Sequence, residues 1–211
     1  PGQTDDAWLR TIAEAASSNA SHLSCYALTV HADTPFGRRR AAGEPTAAGD
    51  DRQRELFLLA DRFLSERGWL HYEISNFARG PGDRSRHNTR YWDGTPYLGL
   101  GPAAHSLLGR RRWWNAAALG DWLAAVEAGD DPAAGGELLN DDDLLLEELM
   151  LGLRTAGGVP VALLTGLPAG RETLRELVDA GLLVIRGGRA APTPEGMLVA
   201  DALPLRFAGG G

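Results

Sequence analysis

The sequence predicts an α/β chain: the tail of a larger parallel sheet with its crossover helices, followed by a small helical domain with a two-stranded wing. Three observations carry this expectation. Two apolar, strand-like runs near the N-terminus each follow an amphipathic helical stretch, the order of parallel βα units. Two parallel strands neither close a barrel nor cover both faces of a sheet, and the chain opens at a helix cap without an initiating Met, so further strands are expected to precede it. Toward the C-terminus, helical patterns give way to two short strands around Gly187-Gly188.

Thr4 suits an N-cap, Asp5 and Asp6 suit the positive end of a helix dipole, and Trp8, Ile12, Ala15 and Ala16 recur at helical spacing to about Asn19. His22 to Val30 reads as a strand bounded by Asn19-Ala20-Ser21 and Asp33-Thr34-Pro35, and a polar loop rich in Arg and Gly follows. Leu56, Leu59, Ala60, Phe63 and Leu64 mark one face of a helix from Asp51 to Arg67, stopped by Gly68. Trp69 to Asn76 is the next strand. Pro81 to Asn115 is turn-rich with short aromatic strands, and Leu119, Trp122, Leu123 and Val126 mark a helix. Asp130-Asp131-Pro132 through Gly135-Gly136 is the best linker, dividing residues 1–130 from 131–211. Asn140 caps a helix carrying Leu144, Leu145, Leu149 and Leu151, and another runs from about Arg171 to Ala180. A hairpin over 182–193 and a helix near Glu195 to Ala202 complete a winged-helix-like layout.

Composition bounds the function. The chain has 211 residues, 44% of them hydrophobic, and no apolar run approaches the roughly 20 residues that cross a bilayer. Its first residues lack the basic start and apolar stretch of a secretory signal, so a cytoplasmic setting is expected. One cysteine, Cys25, excludes an internal disulfide and any multi-cysteine cluster held by this chain alone. The winged layout raises DNA binding, but the net charge is -7 and all 21 basic residues are Arg. From Asp141 to Gly211 ten acids face six Arg, a balance of -4, and the candidate recognition helix mixes Arg171 and Arg175 with Glu172, Glu176 and Asp179. A helix that faces phosphate should be clearly basic, so no nucleic-acid partner is expected.

The richest stretch for chemistry is Ser85-Arg86-His87-Asn88-Thr89-Arg90-Tyr91-Trp92, followed by Gly99 to Ser106 and by Arg110-Arg111-Arg112-Trp113-Trp114-Asn115. Between Arg79 and Arg112 seven Arg face two Asp, a local balance of +5 in an acidic chain, which points to a small anionic ligand. Aromatics supply flat apolar surface, Arg forks match carboxylates, and histidine is a usual axial ligand of haem iron, so a porphyrin carboxylate satisfies all three. The same residues also suit a plainer arrangement in which Tyr91, Trp92, Trp113 and Trp114 are core under a loop and the arginines are solvated. Composition alone leaves both open.

Other candidates are weaker. Gly99-x-Gly101-x-x-Ala104 resembles a dinucleotide fingerprint, but Pro102 and Gly109 spoil the helix that should follow and no acidic residue stands about 20 residues on. His105 and Ser106 are adjacent and lack an elbow motif, so they read as a structural pair. Cys25 in an apolar run reads as a small buried hydrophobe. His22, His31 and His71 have no partners at ligand spacing, and Asp141-Asp142-Asp143 suits a helix dipole.

Four segments together resemble the radical-SAM, oxygen-independent coproporphyrinogen oxidase-like family: Pro1-Gly2-Gln3-Thr4 before a helix; Tyr26-Ala27-Leu28-Thr29-Val30 leading to Thr34-Pro35; Tyr72-Glu73-Ile74-Ser75-Asn76-Phe77-Ala78-Arg79; and Gly99 to Ser106. Their order and spacing match essentially the whole chain. His87-Asn88-Thr89-Arg90-Tyr91-Trp92 resembles the His-Asn-x-x-Tyr-Trp motif of the family's heme-chaperone branch. The resemblance implies the C-terminal part of a partial radical-SAM (β/α) barrel, followed by a small helical, winged-helix-like domain. It implies heme as cargo, contacted by His87, Asn88, Tyr91 and Trp92, with His87 on the iron and Arg86 and Arg90 at the propionates. Ala78 would border an S-adenosylmethionine pocket. The family's three-cysteine motif for a [4Fe-4S] cluster is not in this sequence, so this chain alone is expected neither to bind a cluster nor to run radical chemistry. Heme handling with transfer to an acceptor protein is the expected parent function. The alternatives are oxidative decarboxylation of coproporphyrinogen III and a catalytically inert interaction domain.

Overall fold

Thr4 opens the first helix as expected: its hydroxyl oxygen accepts from the Ala7 amide at 3.2 Å, and α1 runs over Asp5–Ser17. The computed structural model describes residues 1–45 and 47–208. After α1 come β1 (His22–Ser24), α2 (Pro35–Ala41), α3 (Asp50–Ser65), β2 (Leu70–Glu73) and β3 (Asn76–Ala78). The stretch read as a polar loop therefore contains a helix. Thr34 caps α2 by accepting from the Gly37 amide at 3.1 Å, and Pro35 occupies the first turn, where its missing N–H costs nothing.

The two expected strands are present and run in the same direction, yet they are not partners. β3 turns back after β2 and inserts between them, giving the order β1-β3-β2 with both pairings antiparallel and Ala78 opposite both His22 and Leu70. Because β3 offers three residues, the ladder on β1 ends at Ser24, and 26–30 lie outside it, contrary to the expected strand to Val30. The last tie is the Cys25 amide to the Ser75 carbonyl at 2.7 Å. Leu64, Trp69 and Phe77 form the buried core here, with Ala16, Leu23, Cys25 and Phe63 against it. Two buried polar side chains at the β2–β3 turn satisfy each other: the Asn76 amide donates to the Glu73 carboxylate, and the Ser24 hydroxyl donates to Asn76 Oδ1 at 2.5 Å.

Residues 86–152 form one compact unit, and residues 1–85 together with 153–211 form another. The 86–152 unit comprises α4 (Arg86–Trp92), β4 (His105–Leu108), β5 (Arg111–Asn115), α5 (Leu119–Ala128), β6 (Ala133–Leu138) and α6 (Asp141–Gly152). Its sheet has the order β4-β5-β6, all antiparallel. The segment read as a linker is thus largely a strand. Gly135 and Gly136 are there for space: a Cβ on Gly135 would stand 2.7 Å from the Trp114 ring, and one on Gly136 would stand 3.2 Å from the Trp113 Cβ. Asn140 caps α6 as expected, accepting from the Asp142 and Asp143 amides at 2.8 and 3.0 Å while Asp143 accepts the Asn140 amide in return.

The chain then continues through β7 (Val159–Pro160), α7 (Val161–Thr165), α8 (Gly170–Asp179), β8 (Leu183–Arg186), β9 (Arg189–Pro192), α9 (Pro194–Met197) and α10 (Leu203–Ala208). β9 lies between β7 and β8, and β8–β9 is the expected wing, turning at Gly187 and Gly188 with positive φ at both. α8 buries Leu174 and Leu177. The helix expected from Glu195 to Ala202 ends at Met197, α10 starts only beyond that span, and residues 209–211 of the expected C-terminal domain lie outside the described residues. This segment packs with residues 1–85: the Arg54 guanidinium reaches both Glu195 carboxylate oxygens, at 2.7 and 2.8 Å, and the Ala156 amide donates to the Tyr72 carbonyl at 3.0 Å.

Candidate functional site

All six residues of the heme-like motif lie on α4, not on a loop or strand. One helical turn separates residues i and i+4, so the motif sorts into three stripes about 100° apart: Arg86 with Arg90, His87 with Tyr91, and Asn88 with Trp92. The first two stripes are exposed and the third is half-buried together with Thr89. The structure therefore brings His87, Tyr91, Arg86 and Arg90 together on one outward half-turn and directs Asn88 and Trp92 to the other side. On that inner side the Trp92 indole N–H is buried without a hydrogen-bond acceptor among the described residues. The His87 and Tyr91 rings meet edge to face at 5.0 Å and 77°, and Tyr91 meets Tyr97 at 4.8 Å and 63°. Tyr97, which sequence reasoning did not single out, bridges to Leu107 on β4 and so anchors the ring cluster.

The basic island resolves into paired and unpaired members. Arg110 pairs with Asp141 at 2.5 Å; Arg112 pairs with Glu137 at 3.3 Å and with Glu147. Arg111 lies over the Trp113 ring, 5.2 Å from its centroid. Within the other unit, Arg79 donates to the Ala16 and Ala20 carbonyls and covers Trp69, and Arg84 lies 5.6 Å from the Tyr72 ring centroid. Arg86 and Arg90 remain, with no carboxylate partner among the described residues. The acids at 137, 141 and 147 that neutralise much of the island are distant in sequence, which is why a local charge count overstates it. Trp113 and Trp114, half-buried over glycines, act as core.

Ala78 is fully buried at the centre of the β1-β3-β2 sheet. Its neighbour Phe77 is among the residues that line a cavity of about 730 Å³ within the unit formed by residues 1–85 and 153–211, as are Trp8, Leu56, Phe57, Ile74 and Cys25, with Gln3, Thr4, Asp5, Arg52 and Gln53 contributing polar groups. Burial pushes the Cys25 thiol up from its ordinary 9.0 to about 11, which keeps it protonated and weakly nucleophilic at neutral pH. Tyr72, whose hydroxyl meets His22 Nε2 at 2.8 Å and accepts the Ser85 amide, is likewise raised, chiefly by desolvation.

Ser106 is fully buried and accepts the Gly99 amide at 2.9 Å, whereas its neighbour His105 is exposed beside Trp114. Gly99 is required there: a Cβ would stand 2.2 Å from the His105 carbonyl oxygen. Asp141, Asp142 and Asp143 open α6, and no group of three or more metal-ligating side chains occurs among the described residues. With one cysteine, the chain does not supply the thiolates of a [4Fe-4S] cluster. No helix of the described residues is long and apolar enough to cross a membrane.

Comparison with known proteins adds three findings. Residues 139–199 match the HemN C-terminal domain family. The chain is 38% identical over 203 residues to the heme chaperone HemW of Mycobacterium tuberculosis, covering 96% of this chain and 51% of that protein. It is 32% identical over 185 residues to the heme chaperone HemW of Synechocystis, covering 86% and 44%. Its structure resembles that of the coproporphyrinogen III oxidase HemN of Escherichia coli, described as a radical SAM enzyme, with a TM-score of 0.72 over 98% of this chain and 52% of that one at 18% identity, so the fold is shared. The chain thus spans about half the length of the curated relatives it matches.

Proposed function

Because the chain belongs to the radical-SAM coproporphyrinogen oxidase-like family, on the branch of the heme chaperones, we propose that it serves to bind heme and pass it to an acceptor protein, with α4 as the contact. The observation that supports this reading is the outward half-turn of α4, where an imidazole, an aromatic ring and two guanidinium groups without carboxylate partners among the described residues stand side by side. Heme offers the complementary set: an iron that takes imidazole, a flat apolar ring, and propionates that take Arg forks. His87 ligates the iron. Tyr91 lies against the porphyrin, and Arg86 and Arg90 hold the propionates.

Trp92 and Asn88 act from the inner side in this proposal, Trp92 as the prop on which α4 rests and Asn88 within the same short helix. An exposed site of this kind suits transfer, because a cargo held on an open helix face can be approached by an acceptor from the other side. In the whole protein, S-adenosylmethionine would lie toward the Phe77 side of the sheet, with Ala78 behind the wall.

Titration with hemin, followed through the Soret band, tests the site. His87→Ala is expected to shift the band and speed heme loss, whereas Arg86→Gln with Arg90→Gln should weaken affinity by about tenfold or more and leave the iron spectrum nearly unchanged. If His87→Ala changes neither spectrum nor off-rate in a folded protein, His87 is not the ligand and α4 is a structural helix.

A further inference from the structure

His71 and Asp61 lie outside the α4 site and are tied to the 730 Å³ cavity by geometry alone. Both side chains are nearly buried, 6% and 14% exposed. His71 Nδ1 stands 2.8 Å from Asp61 Oδ1, and Nε2 stands 3.0 Å from the Ile74 carbonyl oxygen. The ring stacks on Phe77 at 4.1 Å and 20°, and the Phe57 ring lies tilted at 5.5 Å and 54°. Apart from Asp61, the residues the imidazole touches or bonds, Phe57, Ile74 and Phe77, all line the cavity. They come from three places in the sequence: α3, the β2–β3 turn and β3. His71 itself is not on the wall. It lies behind it.

Asp61 and the Ile74 carbonyl meet the ring at opposite nitrogens, so together they fix its orientation against the Phe77 face. We infer that Asp61 and His71 form a positioning pair that braces the wall of this cavity: Asp61, on α3, orients the imidazole, and that ring sets the Phe77 face and the Ile74 carbonyl. Neither residue contacts whatever fills the cavity. They decide how sharply its wall is defined, as the partners behind a binding wall commonly do.

Cys25 makes the inference testable without knowing a ligand, because the chain's one cysteine lines the same cavity and rests against the Phe77 cluster. In the wild-type protein, the His71 ring protons should show nuclear Overhauser contacts to both the Phe57 and Phe77 rings, as a ring held in one orientation does. Asp61→Asn, which keeps the volume but loses the carboxylate, should raise the rate of Cys25 labelling by a small maleimide about tenfold or more as the wall opens more often, and Asp61→Glu should bring it back toward the wild-type rate. His71→Phe, which keeps the stacking surface and loses both bonds, should behave as Asp61→Asn does. Absence of those ring contacts in the wild-type spectra overturns the inference, and that measurement needs no variant to fold. Labelling rates within about twofold of wild type for both folded variants overturn it equally.

Discussion

Residues 1–85 with 153–211 are held by apolar side chains, whereas residues 86–152 are held largely by glycine contacts, ion pairs and capped ends. In the first unit Leu64, Trp69, Phe77, Leu153, Leu164, Leu177 and Leu203 are essentially out of water, and polar side chains that go inside do so in satisfied groups, such as Glu73 with Asn76 and His71 with Asp61. In the second, Leu139 and Leu149 are the buried apolar side chains among the described residues, while Leu98, Leu100, Leu108 and Leu138 stand exposed. What fixes the second unit is the fit of Trp113 and Trp114 over Gly136 and Gly135 and the reach of Arg112 to Glu137 and Glu147. A unit built this way tolerates an exposed, chemically loaded helix such as α4, because little of its stability rests on burying that helix.

The difference can be broken most directly in the core. Phe77→Ala should cost about 3–5 kcal/mol, from lost burial plus the cavity left behind, and Tyr91→Ala on the exposed ring stack below about 1.5 kcal/mol. Denaturant unfolding of the two variants side by side checks this, and equal losses would erase the distinction between the units. Gly135→Ala comes next: with a Cβ 2.7 Å from the Trp114 ring, either the ring or β6 must shift, at about 1–3 kcal/mol. The loss should appear as faster amide exchange confined to β4, β5 and β6. Exchange that stays as slow as in the wild type would show that the close approach is not a constraint.

A finer test lies in the arginines. Arg112 is about three-quarters covered and serves two glutamates, so Arg112→Ala should cost about 1–2 kcal/mol, whereas the exposed pair of Arg110 with Asp141 should be worth below about 1 kcal/mol on Arg110→Ala and fade in high salt. Thermal melts at two salt concentrations separate them. The smallest expected effect belongs to pH and to the other unit. The Cys25 thiol titrates near 9.0 when unfolded and at about 11 when folded, so the unfolded chain loses its proton first. Stability from this group is intact below pH 9 and declines as pH rises toward about 11. Tyr72, also raised, acts in the same direction. Cys25→Ala should flatten the alkaline slope of the melting temperature. An unchanged slope would assign it to other groups.

Much of this architecture was legible in the sequence because it rests on local chemistry. Thr4 before two aspartates makes a helix start wherever it is placed, Asn140 followed by Asp143 closes its own capping contacts, and Gly187-Gly188 can turn a hairpin without help from other residues. The motif on α4 was legible for the same reason, since six consecutive residues, with Arg86 before them, keep their order on any backbone. Its division into an outward half with Arg86, His87, Arg90 and Tyr91 and an inward half with Asn88 and Trp92 followed only once that backbone was helical.

Tertiary structure decided what depends on partners far along the chain. β3 inserts between β1 and β2 because the turn after Glu73 folds back, and a three-residue strand carries too little pattern to announce itself. Gly135-Gly136 looks like a linker by composition and is a strand by necessity, since no other residue fits beneath two tryptophans some twenty positions away. His71 meets Asp61 for the same kind of reason. Ten positions apart, on a strand and a helix, they share no local spacing rule, and only packing brings the carboxylate, the imidazole and the Ile74 carbonyl together. Sequence by itself determined where α1 and α6 start, which hairpin turns and which residues share a motif. Packing determined which of them face water, because exposure depends on every other part of the unit at once.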